Sequence, residues 1–161
     1  MAVTAYVFPS FIDALNSKSI NVTTDTLEVL LVASGTYTWN STANGAVHVH
    51  DFLTANGTLT EVSGGGYSRQ TLTSVSTSDA FSTPHNYTSL VVGTNPSWTS
   101  ASFSAVYALF FDNTVGGSDT TNQVIAYWDL GGTQTVTAST FTLSMGTANT
   151  VANVLVQWQE N

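Results

Sequence analysis

The sequence predicts a mainly-β fold: a single β-sandwich or jelly-roll-like domain over residues 1–161, with one short N-terminal helix. Three observations carry this expectation. From Thr26 onward most segments alternate apolar with polar residues or cluster Val, Thr, Tyr, Phe and Trp, which suit a pleated, half-buried surface. Gly, Asn and Asp clusters punctuate those segments at short intervals, as in sandwiches and jelly rolls. Helical apolar spacing is confined to the start of the chain.

That helix is expected at about residues 9–16. Pro9 fits a first helical turn, and Phe8, Phe11, Ile12 and Leu15 form a stripe that fades at Asn16-Ser17. Thr26 to Ala33 reads as a central strand ended by Gly35. Residues 36–60 are the least regular. Tyr37 and Trp39 suggest a short strand, Ser41 to Gly45 a turn, and His48 to Leu53 a short helix or a bend. Glu61 to Tyr67 is a strand end followed by a glycine hinge, and Arg69 to Ser76 alternates around Leu72 and Val75. Further strands are expected at Tyr87–Val92, Phe103–Phe111, Val124–Leu130, Thr133–Thr137, Phe141–Met145 and Val154–Trp158. Asn113 to Asp119 reads as a polar hairpin tip, Gly131-Gly132 as a tight turn, and residues 147–161 as an extended C-terminal arm.

Composition narrows the function classes. Only twelve of 161 residues are charged, Lys18 and Arg69 against ten carboxylates, where about a quarter is usual. Ser and Thr take those places, 46 residues in all, so the surface is wetted by hydroxyls with little charge repulsion against neighbours. A net charge of −8 with two basic residues argues against nucleic-acid binding, which needs clustered Lys and Arg. The chain has no cysteine, hence no disulfide and no thiolate metal ligand. Its start lacks a basic, apolar leader, and its longest apolar run, Ala105–Phe111, falls short of the ~20 residues of a membrane helix. The expectation is a protein made in the cytoplasm, with no membrane partner.

The candidate chemical sites are thin. His48-Val49-His50-Asp51 would place two imidazoles on one face of a strand, but a metal needs further ligands and only Glu61 and His85 offer themselves; no metal is expected. Ser63 to Tyr67 lacks the Lys-Ser/Thr of a phosphate loop and precedes no helix. Asp112, Asp119 and Asp129 flank one hairpin, and two of them at about 5–9 Å would suit glycoside cleavage; turn capping is the plainer role. Trp39, Trp98 and Trp128 suggest either a sugar-stacking platform or core anchors. The four Asn-x-Ser/Thr triplets, at Asn21, Asn40, Asn56 and Asn86, match the number such a composition produces by chance, roughly three. No catalytic residue and no cofactor follow from these residues.

The order of several stretches resembles a group of small structural proteins from tailed-bacteriophage virions. The matching pieces are Ala5-Tyr6 to Ala14-Leu15, Asp25 to Val32, Tyr37-Thr38, His50-x-Phe52 and Glu61 to Tyr67. Trp98, Ala105 to Asp112, Ile125 to Gly131 and Phe141 to Leu143 continue the order. The chain departs from that pattern in a polar insertion, Gly116 to Asn122, and in its tail, Thr147 to Asn161. The resemblance implies a virion part of head-decoration, head-fibre or tail-associated type and brings no catalytic residues. The expectation drawn here is a non-enzymatic decoration or cement protein on the outside of the head. Its partners would be the major capsid protein and sister copies in a homo-oligomer. The alternative is a tail or fibre-associated module that binds host-surface glycan. The interface residues expected on the first reading are Trp39, Asn113, Asp119, Val154 and Trp158.

Overall fold

The described residues form two sheets and two short helices. A computed structural model describes residues 4–37, 46–54, 59–82, 85–114, 117–148 and 151–160. The first sheet contains β1 (Thr4–Val7), β2 (Leu27–Ser34), β3 (Thr60–Glu61), β4 (Gln70–Thr71), β7 (Ser97–Asp112) and β8 (Gln123–Thr142). Its order is β1-β8-β7-β2-β3, with β4 also on β2. The second sheet contains β5 (Ser76–Ser82), β6 (His85–Val91), β9 (Gly146–Ala148) and β10 (Val151–Glu160), in the order β5-β6-β10-β9. Every pairing is antiparallel.

Helix α1 (Pro9–Asn16) stands where expected, with Pro9 in the first turn and Phe11 and Ala14 buried. It ends by reversing the backbone at Lys18 (φ 59°), which lets the Ser19 amide donate to the Ala14 carbonyl at 2.9 Å. Helix α2 (Val49–Thr54) resolves the choice at His48–Leu53 in favour of a helix and buries Val49 and Phe52.

Consecutive buried residues show that the first sheet is covered on both faces. Val29 to Val32, Ala108 to Phe111 and Val124 to Trp128 are each buried without a break, although adjacent residues of a strand point to opposite sides. Tyr127 and Trp128 show what lies on each side. The Tyr127 ring packs against Phe8 at 5.7 Å and Phe52 at 5.6 Å, on the helical side. Trp128 faces the second sheet, and its Nε1 donates to the Leu155 carbonyl on β10 at 3.1 Å. The layers are therefore helices, first sheet, second sheet. Residues of both sheets share one apolar core.

Four expectations need correction. Gly131-Gly132 is no turn: β8 runs on through both glycines, whose positive φ values (71° and 115°) make a bulge. Between the pairs Tyr107↔Asp129 and Ala105↔Gln134, β8 uses five residue steps where β7 uses two. The strands expected at 133–137 and 141–145 are thus largely one continuation of β8, with Leu143 to Met145 beyond its end. The C-terminal segment is not an arm, because β10 lies between β6 and β9 inside the second sheet. Ser76–Ser82 forms the edge strand β5, hidden in the sequence because Ser, Thr and Asp dominate it. Tyr37 lies outside any strand, while Trp39 and the Ser41–Gly45 turn fall outside the described residues.

Candidate functional site

Arg69, one of two basic residues in the chain, organises the most charged part of the fold. Its guanidinium meets Glu61 through Nε–Oε1 at 2.9 Å and Nη2–Oε2 at 2.7 Å. It meets Asp119 through Nη1–Oδ1 at 2.7 Å and Nη2–Oδ2 at 2.9 Å. The same group stands 5.4 Å from the centre of the Phe111 ring. Two bidentate pairs fill most of a guanidinium's donor capacity and are stronger than neutral hydrogen bonds. The hydrogen bonds it donates to Glu61 and then to Asp119 push the Arg69 pKa still further above its ordinary value.

Sequence-local structure delivers these groups. Glu61 ends β3 on the edge of β2, and the Gly64–Gly66 turn then returns the chain toward β7. Gly65 fits that turn because its φ is +57° and a Cβ there would stand 2.1 Å from the Ser102 carbonyl oxygen. The turn presents Tyr67, whose hydroxyl donates to Glu61 Oε1 at 2.8 Å and accepts from the Leu31 amide at 3.0 Å. Burial drives the Tyr67 pKa well above that of an ordinary phenol. The glycine run is a packing turn and leads into β4, not a helix.

Asp119 comes from the far side, in the β7–β8 connection. The His50 amide donates to its carbonyl at 2.8 Å, and the Val49 amide donates to that of Asn122 at 3.0 Å. The connection is also fastened at its other end, where Asn113 N–H donates to the Thr26 carbonyl at 2.8 Å. What reads as a projecting hairpin tip is thus pinned at Asn113 and at Asp119. The guanidinium lies between Glu61 and Asp119, in the space a substrate atom would need.

The other candidates do not converge. Asp112 is buried and accepts from the Thr114 amide at 2.7 Å, while Asp129 Oδ1 accepts from the Gly131 amide at 2.9 Å. Asp112 pairs with Gln123 and Tyr107 with Asp129, so these carboxylates stand five β7 residues apart, about 17 Å. That separation is too long for the paired-carboxylate chemistry considered from sequence. His48 precedes α2 and bridges to Gln123, while His50 lies within the helix; His48 Nδ1 contacts Asp51 Oδ2 at 3.3 Å, and His50 is exposed. Among the described residues no three His, Asp or Glu side chains gather as metal ligands. Trp98 and Trp128 are core residues, 2% and 4% exposed, with Trp98 Nε1 donating to the Ser68 carbonyl at 2.7 Å. Neither offers a face to a sugar.

Of the expected interface residues, Asn113 and Asp119 hold the β7–β8 connection, and Val154 is buried in β10. Trp158 pairs with Thr88 in the β10–β6 ladder, and Trp39 lies outside the described residues. The surface that sequence reasoning passed over is the second half of β8. Beyond Leu130 this strand pairs with β7 on one side, and no described strand pairs with its other side. Its residues from Thr135 to Thr142 are exposed except for the half-buried Val136 and Phe141. Beside it lies a cavity of about 250 Å³ lined by Trp128, Leu130, Gln134, Phe141 and Leu143. Reading the Gly pair as a turn concealed the length of this edge.

No known protein family, no curated protein and no solved structure matches the chain. No helix among the described residues is long and apolar enough to cross a membrane.

Proposed function

We propose that the protein is a non-enzymatic structural component of a tailed-phage virion, a decoration or cement protein docked on the outer surface of the head. The observation that supports this reading most is the long β7–β8 hairpin, whose outer half offers an uncharged strand edge rich in hydroxyls. Such an edge has unpaired backbone donors and acceptors, and natural folds usually blunt it with charge, proline or a covering segment. Left open, it favours addition of another strand or close packing on a neighbour. The ordered sequence resemblance to virion parts supplies the setting, and the scarcity of lysine and arginine suits a partner other than nucleic acid.

The mechanism on this reading is adhesive. Each copy buries modest area against the major capsid protein and sister copies, and a shell multiplies each small contact. The protein would be made in the host cytoplasm and join the particle exterior. The test is quantitative mass spectrometry of purified particles, with copy number compared to that of the major capsid protein. A simple lattice ratio in heads freed of tails supports decoration. A few copies travelling with tails reassign the protein to a tail or fibre-associated role. Absence from particles overturns both placements.

A further inference from the structure

We infer that the open edge of β8, Thr135–Thr142, is a self-association surface that pairs with the same edge of a second copy of this chain. This deepens the assembly reading above and rests on it for its biological setting. Charge makes the first part of the case. No Asp, Glu, Lys or Arg occurs between Asp79 and Asp112, nor between Asp129 and Glu160. The outer halves of β7 and β8 fall within these two stretches, so two molecules of net charge −8 can meet there without opposing carboxylates.

The other described edges are less suited. β5 carries the exposed Asp79, β3 ends in Glu61, β4 has two residues, β9 has three and β1 has four. The other side of β7, Ser97–Val106, is also without charge and pairs with no described strand. The Gly64–Gly66 turn sits on it, however, the Ser102 amide donating to the Gly65 carbonyl at 2.8 Å. Among the described residues β8 is the long uncharged edge with no such cover. Nothing in Thr135–Thr142 acts as a charged or proline gatekeeper; the single blunting device is the bulge at Ala138, where φ is 46°.

A like strand is the occupant the edge chemistry favours. Across β7–β8 the hydroxyls already pair, Ser104 Oγ with Thr135 Oγ1 at 2.8 Å and Ser97 Oγ with Thr142 Oγ1 at 3.3 Å. A second β8 edge, antiparallel about a two-fold axis, would extend this ladder with Thr–Thr and Thr–Ser neighbours, a favourable cross-strand pairing. The Ala138 bulge interrupts the pairing and keeps it short. The free dimer should therefore be weak, forming at about 10–100 μM, and array formation would strengthen it.

The full chain with Thr137→Glu, with Thr137→Lys, and an equimolar mixture of the two test this by sedimentation velocity beside the unmodified protein. The unmodified protein should dimerise with concentration. Each variant alone should lose at least tenfold in association through like-charge opposition, with unchanged circular dichroism, and mixing should restore the dimer. A protein that remains monomeric to about 1 mM overturns the inference. So does a Thr137→Glu variant that dimerises normally, or a pair of variants that mixing does not rescue. Because the chain has no cysteine, Thr137→Cys, at the position the charge test places opposite itself, and an edge control, Thr77→Cys on β5, give a second readout. Disulfide-linked dimers should form with Thr137→Cys and not with the control; equal yields overturn the inference. A β8-dependent dimer absent from particles would remove the virion reading alone. Incorporation of a strictly monomeric protein would remove the surface alone.

Discussion

Arg69 and Asp119 lie 50 positions apart and meet through two hydrogen bonds of 2.7 and 2.9 Å. The contact joins the segment after the glycine turn to the connection between the two longest strands. Glu61 completes the clamp from the opposite side, so one guanidinium ties β3, the β4 approach and the β7–β8 connection together. The exposures of the three side chains, 24–32%, place the clamp at the protein's boundary, where solvent screens part of its strength.

Arg69→Met should destabilise the fold by roughly 1–3 kcal/mol, the range for losing hydrogen bonds to charged groups at a partly solvated site. Arg69→Lys should recover little of that, because an ammonium lacks the planar fork that grips two carboxylates. Urea denaturation of the three proteins measures both effects. An unchanged midpoint for Arg69→Met would falsify the clamp's structural role.

Stability should fall at high pH. Burial raises the pKa of Tyr37, Tyr67 and Tyr127 above the ordinary 10.0. Their contribution is complete below pH 10 and declines above it, since the unfolded chain then releases protons that the folded chain retains. Each tyrosine can steepen the loss by up to about 1.4 kcal/mol per pH unit. Phenolate absorbance followed with unfolding should show a late group titrating as the structure is lost; early titration of all six tyrosines contradicts this.

Gly65→Ala should cost more than about 1 kcal/mol, because the new methyl meets the Ser102 carbonyl oxygen and the backbone is left-handed. Gly64→Ala is the control: its φ is +68°, yet no atom lies within 4 Å of the added carbon. Thermal melts should rank Gly65→Ala below Gly64→Ala. The reverse order would mean that the turn does not sit on β7.

Trp128→Phe should cost roughly 2–4 kcal/mol by removing the Nε1 donor from the Leu155 carbonyl and leaving a void between the sheets. Val156, buried beside Leu155 on β10, should exchange its amide hydrogen faster in this variant. Protection unchanged there would argue against Trp128 as the link between layers.

Local chemistry made much of the fold readable in advance. Pro9 with the Phe8, Phe11, Ile12 and Leu15 spacing specifies α1, and the runs Leu27–Val32, Ala105–Phe111 and Val124–Leu130 specify strands through their apolar, β-branched and aromatic content. The near absence of charge was equally plain, and it carries most of the functional argument. The candidate site was less legible: Glu61 and Asp119 were each noticed, but nothing local joins them to Arg69. The β7–β8 register and the pinned connection bring that contact about.

Sequence by itself determined which segments favour strands and helices and how little charge the surface carries, because backbone preference and composition act within a few residues. Tertiary structure alone decided that Gly131-Gly132 is a bulge, that β10 is an interior strand, and that Tyr127 faces the helices while Trp128 faces the second sheet. It also decided that no described strand pairs with the outer edge of β8 beyond Leu130. An edge strand and a central strand share the same two-residue period; only pairing between distant segments separates them.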